Sequence, residues 1–326
     1  MLTRLIGAGG IAVIIISVLP LVAWLFRQHV IRPLTEATQT IVAISKGNLE
    51  EYVPARVYRG EIRALFEAVD TLRAVIRDRN HARDYASLIQ RAILPDRLMR
   101  ASLGENHFVL WKPRDVVGGD FYIYREGVDG DLIGVIDCAG HGLPGALMTM
   151  LAFAAIDQAI DSVQGHDPAA ILRNTDTAMR AMLGRDQFNK ALATSMDAGL
   201  VRIDRKRCRL IFSGARISLF ASDGNEVREY KGGRRAIGDR RQGEYSDIEV
   251  PLQDGWTFYL CTDGFLDQAG GEHGFGFGIN RFTEMLRSYA NRPLDEQAGM
   301  FSTLLAEYQG ELPQRDDITV LSFRIN

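Results

Sequence analysis

Four aspartates, each inside a short motif, carry the chemistry of this sequence. They are Asp120 in Val-Gly-Gly-Asp-Phe-Tyr (117–122), Asp137 in Asp-Cys-Ala-Gly-His-Gly (137–142), Asp263 in Thr-Asp-Gly (262–264) and Asp316 in Asp-Asp-Ile-Thr (316–319). Asp137 and Asp263 close apolar runs that read as buried strands, Asp316 opens one, and Asp120 follows two glycines that let backbone approach closely. The carbonyl of Cys138, next to Asp137, is a further oxygen donor. Oxygen ligands with no clustered His or Cys select Mn²⁺ or Mg²⁺ over zinc. Carboxylates gathered in one pocket repel one another unless cations neutralise them. Two such ions hold a hydroxide in line with a phosphoryl group and spread the charge of its transfer, so the four motifs point to a two-metal hydrolase.

The elements that must position these acids follow from the apolar pattern. From about Leu103 short β-like runs alternate with turns. Phe108–Trp111, Phe121–Tyr124, Leu132–Ile136, Ala198–Ile203, Arg209–Phe212, Ser218–Ala221, Trp256–Cys261 and Thr319–Ile325 read as strands, and Asp223-Gly224 as the hairpin turn to Val227–Tyr230. Leu143–Ser162, Pro168–Leu183, Arg281–Ala290 and Leu294–Gln309 read as helices; the first is apolar nearly all round and is expected between layers. Meandering strands with helices inserted in pairs predict an α/β sandwich rather than a doubly wound parallel sheet.

Ahead of this region the chain has a different character. Leu5–Phe26 carries no charge and is long enough to cross the ~30 Å hydrocarbon core of a bilayer. Arg27, His29 and Arg32 follow it, which places the remainder on the cytoplasmic side of an inner membrane. Pro33 opens a helix with Leu34, Ala37, Ile41 and Ile44 on one stripe, Gly47-Asn48-Leu49 breaks it, and an extended connector runs from Glu50 to Gly60. A second helix from Glu61 carries Ile62, Leu65, Val69, Leu72 and Ile76 as a heptad stripe and continues to Pro95. Neither stripe buries a core alone; each is completed by pairing with a second copy.

Bulk composition narrows the class. The 326 residues hold 38 Lys and Arg against 41 Asp and Glu, so no basic excess marks a nucleic-acid partner. Cys138, Cys208 and Cys261 are too few for a disulfide framework and lack zinc spacing; they read as small buried hydrophobes in a reducing cytoplasm.

Taken with their order, the motifs resemble those of the metal-dependent PPM (PP2C-like) protein serine/threonine phosphatases, in the bacterial SpoIIE/RsbU branch, over about Gln90–Asn326. Residues 33–62 are similar to a HAMP signalling module. The layout is most like the HAMP-linked, SiaA-type biofilm-regulating phosphatases. The resemblance implies a four-layer αββα sandwich, two antiparallel sheets flanked by helices, with two Mn²⁺ or Mg²⁺ ions and hydroxide attack without a phosphoenzyme. It makes Asp120, Asp137, Asp263 and Asp316 the catalytic metal ligands with the Cys138 carbonyl, and Gly119 and Asp317 supports behind them. His141 is read either as a structural residue of its Gly-His-Gly turn or as part of the site. The implied substrate is a small phosphorylated regulator of the STAS, anti-anti-sigma type, handled by a parallel homodimer in a partner-switching circuit. The expected division is a transmembrane helix at 1–26, the HAMP-like module at 27–80, a linker or switch helix at 81–102 and the phosphatase at 103–326. With one span and no extracellular sensor, the chain is expected either to be a truncated form or to take its input from elsewhere.

Two departures from the family pattern support an alternative, a phosphoprotein-binding receptor with weak or no turnover. Ile123 stands where many members of the branch have another aspartate, and Ala139 where eukaryotic relatives have a histidine. No arginine matches their phosphate-binding arginine, for which Lys112 or Arg114 would be the substitutes. Other readings fail on the residues. Gly-Gly-Asp-Phe lacks the glutamate of the diguanylate cyclase signature. No asparagine-bearing helix precedes 137–142 as in a histidine-kinase ATP lid. Pro144, Gly214 and Asp267 stand where a cysteine phosphatase needs arginine, and the glycine-rich run at 273–278 reads as a loop.

Overall fold

Proline and glycine set the shape of the N-terminal helices. The computed structural model describes residues 18–49, 60–128, 130–163, 167–183 and 195–325, which fall into two compact units, Met1–Ala82 and Arg83–Asn326. Most of the segment read as membrane-spanning, and nearly all of the connector from Glu50, lie outside the described residues. In the first unit, helix from residue 18 onward exposes Leu21, Val22, Trp24 and Phe26. A π-helical turn, Arg27–Ile31, leads into α1 (Arg32–Ser45). Pro33 has no N–H and crowds the carbonyl four residues back, and the wider turn relieves that clash. α1 ends in a Schellman motif: Gly47 (φ 85°) donates to Ile44 and Asn48 to Ala43. Ala37 packs with Phe66, Ile62 and Leu65 of α2 (Gly60–Ile93), while Leu34, Ile41, Leu72 and Val75 stay exposed. α2 is unbroken through Arg79–Asp84, where charges interrupt the heptad, so that stretch is a solvated face.

The second unit begins at Arg83 and so takes in the segment read as a linker. The short helix α3 (Asp96–Leu103) follows Pro95. One sheet has the order β1-β12-β9-β6-β7, from β1 (His107–Lys112), β12 (Ile318–Arg324), β9 (Thr257–Cys261), β6 (Leu219–Ser222) and β7 (Val227–Tyr230). The other has the order β2-β3-β4-β5-β8, from β2 (Asp120–Arg125), β3 (Asp131–Cys138), β4 (Met196–Asp204), β5 (Arg209–Ala215) and β8 (Ile248–Pro251). Every pairing is antiparallel. A two-stranded ribbon, β10 (Ala269–Gly270) with β11 (Phe275–Gly276), lies beyond the short helix α6 (Asp263–Asp267).

Alternation along each strand sorts side chains into three apolar layers. Tyr122, Val135, Val201, Leu260 and Leu321 fill the space between the sheets. Phe121, Ile136 and Leu200 pack outward against α4 (Gly142–Ser162) and α5 (Pro168–Leu183). Tyr259 and Val320 pack against α7 (Gly278–Tyr289) and α8 (Leu294–Gln309). This is the expected pair of antiparallel sheets flanked by helices. α4 is long and apolar enough to cross a membrane, but half of it is buried in this unit, and it serves as a core helix. Cys138 and Cys261 are buried as expected; Cys208 is exposed at the left-handed end of a short turn (φ 48°), a correction forced by its place between two strands.

Candidate metal centre

Strand register builds the site. Asp120 of β2 lies opposite Asp137 of β3, and Asp137 opposite Asp197 of β4, so three carboxylates form a row across the ends of adjacent strands. By alternation all three face the other sheet, on the side of Tyr122, Val135 and Val201. That sheet answers with two threonines. Thr262, at the end of β9, and Thr319, in β12, donate their hydroxyls to the same oxygen of Asp120, at 2.8 and 2.7 Å. Thr262 is in turn fixed by the Thr319 amide at 3.0 Å. Asp263, in the first turn of α6, and Asp316, just before β12, complete the ring.

Burial falls from floor to mouth. Asp120 and Asp317 are 1% and 3% exposed, Asp137 and Asp197 are half-buried, and Asp263 and Asp316 are exposed. The pocket therefore opens to solvent. Desolvation, offset by the two threonine hydroxyls and reinforced by Asp317, pushes Asp120 up to about 8. Desolvation and then repulsion from Asp120, Asp263, Asp197 and Asp316 raise Asp137 well above the ordinary range. Desolvation first, then repulsion from Asp267 and Asp316, raises Asp263 above the ordinary carboxylate range, with Asp137 and Arg216 pulling the other way. Desolvation raises Asp197 to about 6 against the pull of Arg216, whose guanidinium lies 3.3 Å away.

Asp317 holds the floor. Its carboxylate accepts from the amides of Arg114 (2.7 Å) and Gly119 (2.6 Å). A Cβ on Gly118 would lie 2.5 Å from that carboxyl, and one on Gly119 2.3 Å from the Cys138 carbonyl oxygen, so both positions need glycine. The Cys138 carbonyl thus sits against the Gly119 backbone, while its thiol points to the helix-side core and burial holds it protonated. Gln90, fully buried on α2, clasps the same loop: its amide donates to the Gly118 carbonyl at 2.7 Å and its carbonyl accepts from the Gly118 amide at 3.2 Å. His141 caps the approach to α4, with Nδ1 3.1 Å from Asp115, which also meets Arg83 at 3.3 Å.

The structure thus brings Asp120, Asp137, Asp263, Asp316, Asp317, Gly119 and the Cys138 carbonyl to one place, with His141 at its edge. Among the described residues no three side chains of His, Cys, Asp or Glu lie close enough together, as they stand, to hold a metal ion. The donor set nevertheless fits hard divalent cations: oxygen ligands only, carboxylates raised by burial and by mutual repulsion, at a place open to solvent. Ile123 packs in the helix-side layer, on the opposite face of β2 from Asp120, so the missing acid at that position takes nothing from the row. Four contributors lay outside the sequence reading. Asp197 was hidden because the strand was read from Ala198 rather than Met196. Arg216 belongs to no motif. The hydroxyls of Thr262 and Thr319 sit inside motifs whose aspartates drew the attention.

A sandwich of this kind with acids at the sheet ends defines a PP2C-like, metal-dependent phosphatase. Residues 129–326 match the family model of stage II sporulation protein E (SpoIIE), and the chain belongs to that family of protein serine/threonine phosphatases, which use Mn²⁺ or Mg²⁺. It is similar to the SiaA PP2C domain of Pseudomonas aeruginosa, with 68% identity and a TM-score of 0.73 over 78% of this chain and 99% of that one. Two more distant structures share the fold. The PP2C domain and regulatory fragment of SpoIIE from Bacillus subtilis gives 15% identity and a TM-score of 0.54 over 68% of this chain and 63% of that one. The RsbU and RsbW domains of a Mycobacterium tuberculosis protein give 18% and 0.53 over 67% and 59%. Among curated proteins none matches.

Proposed function

We propose that this phosphatase removes phosphate from serine or threonine of a small cytoplasmic regulator of the STAS, anti-anti-sigma type. It does so as a parallel dimer tethered to the inner membrane, in partner-switching signalling of the biofilm-regulating kind. The observation that carries the catalytic part is the register Asp120–Asp137–Asp197 facing Asp263 and Asp316 across the sheet ends. Asp120, Asp137, Asp263, Asp316 and the Cys138 carbonyl would hold the ions. Bound Mn²⁺ or Mg²⁺ supplies positive charge for the phosphoryl oxygens and lowers the pKa of water. The chain's own part is to fix the ligands: Asp317 pins the Gly118-Gly119 turn, Thr262 and Thr319 orient Asp120, and Gln90 clasps the turn from behind.

Support for the dimer comes from the apolar residues left uncovered on the N-terminal helices, Leu34, Ile41, Leu72 and Val75, which a second copy would bury. Support for a signalling role comes from Gln90: it lies on the same unbroken helix as the HAMP-like stripe, so a shift of that helix would loosen the loop that carries Asp120. The 68% identity to the SiaA domain supports the biofilm-regulating setting. The test is the full chain with Mn²⁺ and a STAS-type protein phosphorylated on serine or threonine. Release of phosphate that stops in EDTA, with a phosphotyrosine peptide untouched, is expected; no release at any Mn²⁺ concentration contradicts it.

A further inference from the structure

The connection between β7 and β8 concentrates positive charge in a chain whose net charge is -3. Within its first part, residues 231–241, Lys231, Arg234, Arg235, Arg240 and Arg241 stand against one carboxylate, Asp239; Glu244 and Asp247 follow before β8. Asp239 lies 3.8 Å from Arg235, and Lys231 lies 3.9 Å from Glu229. Arg234, Arg240 and Arg241 are exposed, and among the described residues no carboxylate pairs with them. A run of like charges is ordinarily a solvated face on a loose loop. This loop is instead fastened down. Ile237 and Met196 exchange both backbone hydrogen bonds, at 2.8 and 3.0 Å. The Gly238 amide donates to Asp176, a carboxylate with no exposed surface, at 2.7 Å, and Arg180 donates to the Asp239 carbonyl at 2.5 Å.

Its anchor point fixes its meaning. Met196 immediately precedes Asp197 of the carboxylate row, so the loop stands at the rim of the pocket. Arg216 lies between the two. Its amide donates to the Gly233 carbonyl at 2.7 Å, its guanidinium reaches Asp197, and its backbone is held in the left-handed region (φ 66°), where a side chain is disfavoured.

The geometry points to Arg234, Arg240 and Arg241 as a docking rim for the acidic surface of a phosphoprotein, with the phosphoryl group entering past Arg216. The inference rests on the phosphatase reading above. Guanidinium forks match carboxylates bidentately. The segment 231–241 holds no aromatic residue on which bases would stack, which favours protein over single-stranded nucleic acid.

The test uses the full chain and a fluorescein-labelled phosphothreonine peptide with glutamates on both sides, beside its glutamine counterpart. Binding is read by anisotropy in Asp137→Asn, where turnover does not interfere. The glutamate peptide is expected to bind about tenfold more tightly, a preference that fades in ~0.5 M salt. In Arg234→Gln/Arg240→Gln/Arg241→Gln the preference disappears, and hydrolysis of the glutamate peptide falls about tenfold relative to p-nitrophenyl phosphate hydrolysed by the same variant. Equal binding of the two peptides, a preference that survives the triple substitution, or tighter binding of a single-stranded RNA than of the glutamate peptide overturns the rim. The salt dependence in the parent reads the rim even if the triple variant does not fold. Absence of p-nitrophenyl phosphate turnover in the parent with Mn²⁺ overturns the phosphatase reading instead, and the anisotropy result stands apart from it.

Discussion

Replacing Asp197 by asparagine should stabilise the metal-free protein, because a carboxylate is held there against its own solvation. The side chain is 16% exposed and its pKa is raised to about 6, by desolvation first, with Arg216 pulling the other way and Asp263 adding repulsion. A pKa raised from the ordinary 3.8 to about 6 means that the folded state binds the proton more tightly than the unfolded chain. Its contribution to stability is therefore fully present below the unfolded pKa and is lost as pH rises through about 6. Above pH 7 the loss amounts to ~3 kcal/mol at ~1.4 kcal/mol per unit. An asparagine amide keeps part of the burial cost and forgoes the ion pair, which leaves a net gain of ~1–2 kcal/mol. For a unit of this size that is a rise in Tm of about 3–6 °C. The assay is thermal unfolding of residues 83–326 in EDTA at pH 7.5 and pH 4.5, then with Mn²⁺. We expect Asp197→Asn to melt higher at pH 7.5, with the gap mostly closed at pH 4.5 and narrowed by Mn²⁺. A variant that melts at or below the parent at pH 7.5 in EDTA, or a gap independent of pH, refutes the reasoning.

Three further outcomes follow from the supports of the site. Gln90→Ala leaves the Gly118 amide without a partner in a buried place, at ~1–3 kcal/mol, and its carbonyl with only the Thr149 hydroxyl at 3.2 Å, and should lower Tm and cut Mn²⁺-dependent turnover at least about tenfold, read by denaturation and by p-nitrophenyl phosphate hydrolysis. Gly119→Ala drives a Cβ against the Cys138 and Gly140 carbonyl oxygens, at 2.3 and 2.6 Å, both backbone, and should cost ~2 kcal/mol or more with loss of turnover, checked in the same two assays. Thr319→Val removes one of the two hydroxyls that stabilise ionised Asp120, so its pKa should rise further and Mn²⁺ affinity at neutral pH should fall about tenfold by isothermal titration, with a smaller deficit at higher pH.

What was legible in the sequence was what local pattern determines. Pro168–Leu183, Leu294–Gln309 and Val227–Tyr230 lie where periodicity and turn residues put them, and the four motif aspartates were visible because each sits at or near a strand end in a short motif that holds glycine or threonine. β8 escaped notice because Ile-Glu-Val-Pro is a short edge strand ended by proline. Asp197 and Arg216 escaped for a different reason. Their roles come from pairing across the sheet, Asp137 with Asp197 and the bridge from Ala198 to Arg216, and such register is a long-range property. Gln90 was placed in the helix that enters the phosphatase, yet its two bonds to Gly118, 28 residues away, come only with the fold. Of the cations near the site, Arg216 pairs with Asp197, and Arg114, weighed with Lys112 as a phosphate-binding substitute, contributes its backbone amide to Asp317.

The most direct measurement of the central claim is Mn²⁺-dependent hydrolysis of p-nitrophenyl phosphate by the full chain beside Asp137→Asn. The row of acids predicts turnover that rises with Mn²⁺ and stops in EDTA. It also predicts a loss of about a thousandfold in Asp137→Asn at saturating Mn²⁺, since removing a ligand forfeits several kcal/mol of charge stabilisation. Turnover that persists without a divalent cation, or an Asp137→Asn protein within a few-fold of the parent, would contradict it.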